Sequence, residues 1–153
     1  MTCRAARPED APALLPLVRA MNADQGDRTE LVDAAALLAA PGTMTMLAER
    51  DGALVGYATA HPTFETGHAE RGFYVGDLFV DPAHRRQGVA RGLLAALAAA
   101  GLAQGAKHFW LTAKEDNFAA HALYRRLGGH GEPVLAFACV EGHFQALADE
   151  AAT

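Results

Sequence analysis

Residues 73–113 read as strand, long helix, strand, and this unit constrains the fold more than any other stretch. A helical crossover between two strands of one sheet makes them parallel and right-handed in connection. Val75, Leu78, Phe79 and Val80 supply the β-branched and apolar side chains of the first strand, and Asp81-Pro82 stops it because proline has no N–H for a ladder. Val89, Leu93, Leu97 and Ala100 then recur at the spacing of a half-buried helix. Between strand and helix lie Arg85, Arg86, Gln87 and Gly88, followed by Ala90 and Gly92. This loop falls at the carboxyl end of a strand, where an α/β sheet holds its ligand. A helix N-terminus offers unpaired N–H groups and the positive end of a dipole, and small residues let an anion approach. The stretch is suited to a phosphate.

The rest of the composition narrows the partner. A net charge of −5 argues against a general nucleic-acid binder. Three of the thirteen basic residues nevertheless crowd into positions 85–91, which suits a small anionic molecule; the alternative is a solvated loop. No apolar run is long enough to cross a membrane, and Pro8, Glu9 and Asp10 sit where a signal core would lie. Cys3 and Cys139 are too few for a disulfide framework and read as reduced thiols, so a cytoplasmic protein of one domain, residues 1–153, is expected.

Along the chain, residues 4–7 begin an edge strand, and a helix opened by Pro8-Glu9-Asp10 runs to about Met21, with Pro16 in conflict inside it. Asn22–Thr29 reads as a loop and Glu30–Ala39 as a second helix. Thr43–Glu49 and Leu54–Ala60 form a hairpin about Asp51-Gly52, and a second hairpin turns within 61–72. Gly76 marks a bulge or a close backbone approach. Lys107–Ala113 is a fifth strand and Val134–Val140 a sixth; Asn117 caps a helix ended by Gly128-Gly129, and Phe144, Leu147 and Ala148 suggest a short terminal helix. The fold class is α/β (α+β), with a mixed central sheet of about six to seven strands flanked by helices and a ligand crevice along residues 73–100.

Two common phosphate loops are excluded. No Gly-x4-Gly-Lys-Ser/Thr occurs, and the glycine cluster at 128–131 follows a helix instead of a strand. Arg85-Arg86-Gln87-Gly88-Val89-Ala90, preceded by Asp77-Leu78-Phe79-Val80-Asp81-Pro82, resembles the acetyl-CoA signature of the GNAT (Gcn5-related) N-acetyltransferases. Asn117, Tyr124 and Arg126-Leu127-Gly128 resemble the second motif of that family. The C-terminal stretch from Leu127-Gly128-Gly129 through Gly142-His143-Phe144, with Phe64-Glu65 ahead of Asp77, looks closest to its diamine (spermidine/spermine-type) branch.

The resemblance implies an acetyl-CoA-dependent N-acetyltransferase, without a metal, that moves acetyl directly to a primary amine; the homodimer is also implied. The main-chain N–H groups of Gln87, Gly88, Val89, Ala90, Arg91 and Gly92 would wrap the pyrophosphate, with Arg85 or Arg86 adding charge. Leu78, Phe79 and Val80 would pair with the pantetheine arm, and one of their N–H groups would face the tetrahedral oxyanion. Tyr124 would be the general acid, and Asn117 a cap and cofactor contact. Glu115 would be the general base, while Glu65 and Asp77 would meet a cationic acceptor. An amine-bearing small molecule, a protein lysine or N-terminus, and a non-catalytic CoA sensor remain open as readings. The histidines show no metal spacing, and His84 reads as a loop residue.

Overall fold

A computed structural model describes residues 1–30 and 32–151, in two compact units, the second beginning at Glu115. The first unit is a five-stranded sheet in the order β1 (Thr2–Ala5), β2 (Met44–Arg50), β3 (Ala53–Glu65), β4 (Glu70–Val80) and β5 (Ala106–Leu111). The first four strands are antiparallel, and β5 joins β4 in parallel. That parallel pair is the one the strand–helix–strand pattern requires, closed by α3 (Val89–Ala103).

Two helices, α1 (Ala11–Gln25) and α2 (Ala34–Ala39), cover one face of the sheet. Leu14, Leu17, Val18, Met21 and Ala34 bury themselves there against Leu47, Tyr57 and Phe79. The opposite face receives α3. The strands leave room for it: a Cβ at Gly56 would meet Val89 and Leu93, and one at Gly101 of the helix would meet the Phe73 ring. Neighbouring residues of one strand point to opposite faces, so Phe73 and Gly56 mark the α3 face and Tyr57 and Phe79 the α1 face.

Several boundaries differ from the sequence expectation. Helix α1 continues through Asn22–Gln25 and ends at Gly26, whose φ of 78° provides the left-handed cap. It also runs through Pro16, which is exposed, so the carbonyl it leaves unpaired is on the wet side. The second helix starts later, at Ala34, because Asp33 accepts from the N–H groups of Ala35 and Ala36 and fixes the N-cap. Residue Leu31 of the expected helix lies outside the described residues. Strand β3 extends to Glu65, and the hairpin turns at residues 66–69.

The second unit holds α4 (Phe118–Arg126) and α5 (Glu141–Glu150). The expected sixth strand does not form among the described residues: Val134, Leu135, Phe137 and Val140 are exposed and outside any sheet. The sheet therefore has five strands where about six to seven were expected. An apolar, β-prone segment is a statement about side chains, and a strand also needs a partner edge.

Candidate active site

Strand β4 changes partners along its length. From Arg71 to Val75 it lies between β3 and β5; from Asp77 to Val80 it pairs with β3 alone. The parallel neighbour stops at Leu111, so the β5-side edge of β4 has no strand partner from Asp77 to Val80 among the described residues. The Asp81 N–H donates to the Val55 carbonyl on β3 at 3.0 Å. By alternation, the main-chain groups of Leu78 and Val80 then point to the open side and those of Phe79 to β3. The open-side carbonyl of Val80 is taken by Arg85 Nε at 3.0 Å.

The loop after β4 is built by its own residues. A 3-10 turn at Pro82–His84 is capped by Asp81, which accepts from the Ala83 N–H at 2.8 Å. Arg86 (φ 61°) and Gly88 (φ 82°) are both left-handed, and this turns the chain into α3. Gly88 is the N-cap and has no side chain to satisfy the helix, so the N–H groups of Gly88, Val89, Ala90 and Arg91 have no internal partner among the described residues. A Cβ at Gly88 would meet nothing within 4 Å, so the chain is uncrowded at the cap itself. This donor set fits a pyrophosphate.

Not every residue expected in that cradle is free for it. The Gly92 N–H already donates to the Gly88 carbonyl at 3.0 Å, and the missing Cβ of Gly92 makes room for Cys3 Sγ and Met1 Cε instead. Arg85 is occupied: besides Val80 it binds Asp24 Oδ2 at 2.9 Å and lies over the Phe79 ring. The Gln87 side chain accepts from Arg50 and donates to the Ala83 carbonyl. Arg86 is exposed and has no such bond among the described residues.

Asp77 and Glu65 do not come together. Gly76 is the extra residue of a bulge, because Thr59 pairs with Asp77 and Ala60 with Val75. The bulge keeps Asp77 on the same face as Tyr74 and Phe79, where its Oδ2 accepts from the Thr59 hydroxyl at 2.7 Å. That hydroxyl in turn accepts from the Asp77 N–H at 3.0 Å. Burial, with the Asp77 charge adding to it, pushes the neighbouring Tyr57 phenol well up. Glu65 sits six positions along β3 from Thr59, about 20 Å away. There it faces His68 at 3.2 Å and His108 at 3.7 Å, near Glu70.

In the second unit, the Asn117 side chain accepts from the Ala120 N–H at 3.1 Å and caps α4. Tyr124 is half-buried, and that burial raises its phenol. Its carbonyl accepts the Leu127 and Gly129 N–H groups, which closes the helix. Glu115 is exposed just ahead of the cap.

Sequence reasoning missed a row of polar side chains on the α1 face. Thr43 Oγ1 lies 3.3 Å from His61 Nδ1, and Tyr74 Oη 2.8 Å from Thr112 Oγ1. Thr45 is buried, and its hydroxyl has no partner among the described residues. The signal was present: along one face, Leu47-x-Thr45-x-Thr43 and Tyr57-x-Thr59-x-His61 pass from apolar to polar.

The open β4 edge and the bare α3 N-terminus define a fold built to hold a phosphorylated ligand beside a strand. The family model for the acetyltransferase (GNAT) family matches residues 13–129, and the chain belongs to that family. An uncharacterized N-acetyltransferase, YhfO, of Bacillus subtilis (strain 168) is 30% identical over 132 residues, covering 84% of this chain and 89% of that one. An aminoglycoside acetyltransferase from an uncultured soil metagenomic sample, HMB0005, superposes with a TM-score of 0.76 at 25% identity, over 92% of this chain and 98% of its own. A ribosomal-protein-alanine N-acetyltransferase from Brucella melitensis biovar Abortus 2308 superposes with a TM-score of 0.74 at 23% identity, over 90% of this chain and 100% of its own. The protein is an acetyltransferase of a family that uses acetyl-CoA as cosubstrate.

Proposed function

We propose that the protein transfers acetyl from acetyl-CoA to a cationic primary amine by direct attack. The observation that carries this is the departure of β5 from β4 after Val75, on the strand that leads into the unpartnered donors of Gly88–Arg91. A thioester threaded along that edge would meet the Leu78 and Val80 N–H groups. One such donor aimed at an oxyanion is worth about 3–4 kcal/mol. Arg86, exposed, supplies the positive charge, since Arg85 is committed to Val80 and Asp24.

The amine reading rests on Asp77. A carboxylate beside a buried threonine, on a sheet face lined with hydroxyls, suits an ammonium group. Glu65 is left out of this reading because one compact acceptor cannot reach both carboxylates. Tyr124 is the donor of a proton to the departing thiolate, and burial, which raises its phenol, makes that donation depend on the thiolate forming beside it. The diamine-like C-terminal stretch and Phe64-Glu65 segment favour a polyamine, and an aminoglycoside offers the same ammonium chemistry. A cytoplasmic homodimer belongs to the same reading, with Leu135 and Phe137 among its exposed apolar surface.

The test is thiol release from acetyl-CoA across polyamines, aminoglycosides and lysine- or alanine-ended peptides. Turnover with a cationic small amine is expected. Turnover with peptides alone would move the acceptor to protein, and no stabilisation by saturating CoA would remove the reading altogether.

A further inference from the structure

The polar row on the α1 face converges on the bulge at Gly76. A Cβ built there would lie 3.2 Å from Thr59 Oγ1 and 3.4 Å from His61 Nε2. The hydroxyl and the imidazole therefore face one another across space that any side chain at 76 would fill. His61 is paired with Tyr74 and is exposed, so its ring is reachable. Its other nitrogen, Nδ1, is held by Thr43. Thr59 carries the Asp77 carboxylate on its far side. Just ahead of β2 the imidazole meets Thr43; on β4 its cross-strand neighbour is Tyr74, and Asp77 lies beyond Gly76 on the same face. The buried, unpartnered hydroxyl of Thr45 stands in the same row as Thr59.

We propose that His61 is the base that takes the proton from the acceptor ammonium in the space left by Gly76, with Thr43 orienting the ring and the Thr59–Asp77 pair holding the cation. The inference rests on the amine acetyltransfer proposed above. The ammonium gives one proton to Nε2 and becomes a free amine; that proton leaves to solvent. The nitrogen lone pair forms the C–N bond at the thioester carbonyl, the C–S bond breaks, and the remaining ammonium-like proton balances the one delivered to the CoA sulfur. Histidine is the most frequent general base, and here its Nε2 borders the space left by Gly76 while Nδ1 is held by Thr43.

Wild type, His61→Asn, Gly76→Val and Glu115→Gln are compared at saturating acetyl-CoA. Spermidine and kanamycin serve as protonated probes. Hydroxylamine, largely unprotonated near neutral pH, serves as a probe that needs no base, after subtraction of its uncatalysed reaction. His61→Asn should lower kcat/KM for the protonated probes about 100-fold, the scale of a lost general base. It should abolish the acidic limb of the pH profile and leave hydroxylamine turnover within a few-fold. Gly76→Val should raise KM for the amine and leave KM for acetyl-CoA unchanged. A His61→Asn enzyme with the wild-type rate and pH profile overturns the assignment, as does loss of the acidic limb in Glu115→Gln alone. If wild type turns over neither amine, the His61 ring resonances, identified by their loss in His61→Asn, are followed as spermidine is added to the CoA-saturated protein. Unmoved resonances overturn the proposal, and shifts abolished by Gly76→Val support it. Absence of CoA stabilisation in wild type overturns the acetyltransferase reading itself, a separate result from normal turnover in His61→Asn.

Discussion

The two adjacent arginines of the loop look equivalent in sequence and differ in what they touch. Arg85 holds the carbonyl of Val80, the carboxylate of Asp24 and the face of Phe79, so it ties the loop to α1 and β4. Its ion pair is about half exposed and contributes little, about 0–1 kcal/mol. Arg85→Ala should therefore lower the melting temperature by a few degrees and change KM for acetyl-CoA mainly through loop order. Arg86→Ala should leave the melting temperature unchanged and raise that KM about tenfold, the equivalent of one charge-assisted hydrogen bond. Steady-state kinetics beside thermal unfolding separates the two; equal effects on KM with no stability change in either would refute the division. For Tyr124→Phe, the expected result is a fall in kcat of about 100-fold with intact CoA binding, because the variant keeps the ring and loses the proton. Unimpaired kcat would remove the phenol from the acid's role.

Glycine acts on the elements in two physically different ways. Gly88 has open space where a Cβ would go but a φ of 82°, so Gly88→Ala should cost about 1–2 kcal/mol through backbone strain alone. Gly56 has ordinary backbone, yet its Cβ would lie 2.7 Å from the Phe79 carbonyl oxygen and 3.3 Å from Val89 Cγ1. Gly56→Ala should cost about 1–3 kcal/mol by overpacking, and the strain falls on the stretch of β4 whose other edge has no strand partner among the described residues. Denaturant unfolding measures both; CoA affinity should fall in each, since each distorts one wall of the same site. The strand–helix–strand unit was legible because its signals are local: a proline stop, a glycine entry and a 3.6-residue period. The Gly76 bulge was legible too, as one of two alternatives. The division of labour between Arg85 and Arg86 was not, since it depends on Asp24, sixty-one positions away. Nor was the gap between Glu65 and Asp77, which follows from β3 running on past Ala60 to Glu65. The segment at 134–140 shows the converse, a strand-like sequence with no strand partner among the described residues.

At the scale of the whole fold, the N-terminal edge is pinned by charge instead of by a large buried face. Strand β1 is short and has one neighbour, β2. Arg4 of that strand donates to both oxygens of Asp10 at 2.8 Å, and the Arg7 N–H adds a third bond at 2.7 Å. The guanidinium of Arg4, helped by the Arg7 N–H, holds the Asp10 carboxyl down to about 2, from an ordinary 3.8. Arg4 in turn is pushed up by the same contact. The folded carboxyl thus binds its proton less tightly than the unfolded one. Its contribution is present in full above the unfolded value and is lost as pH falls from there through about 2. Asp10→Asn removes the titration while keeping the shape, so its unfolding free energy should be lower than wild type at neutral pH and should converge on it as the solution is acidified into that window. The second contact of Arg4, with Glu49 at 3.4 Å, is more exposed and cannot hold the strand by itself. Urea titrations of both proteins at pH 7 and across the acid range measure the difference directly, and parallel curves that never converge would show that the Arg4–Asp10 bridge does not fix the edge of the sheet.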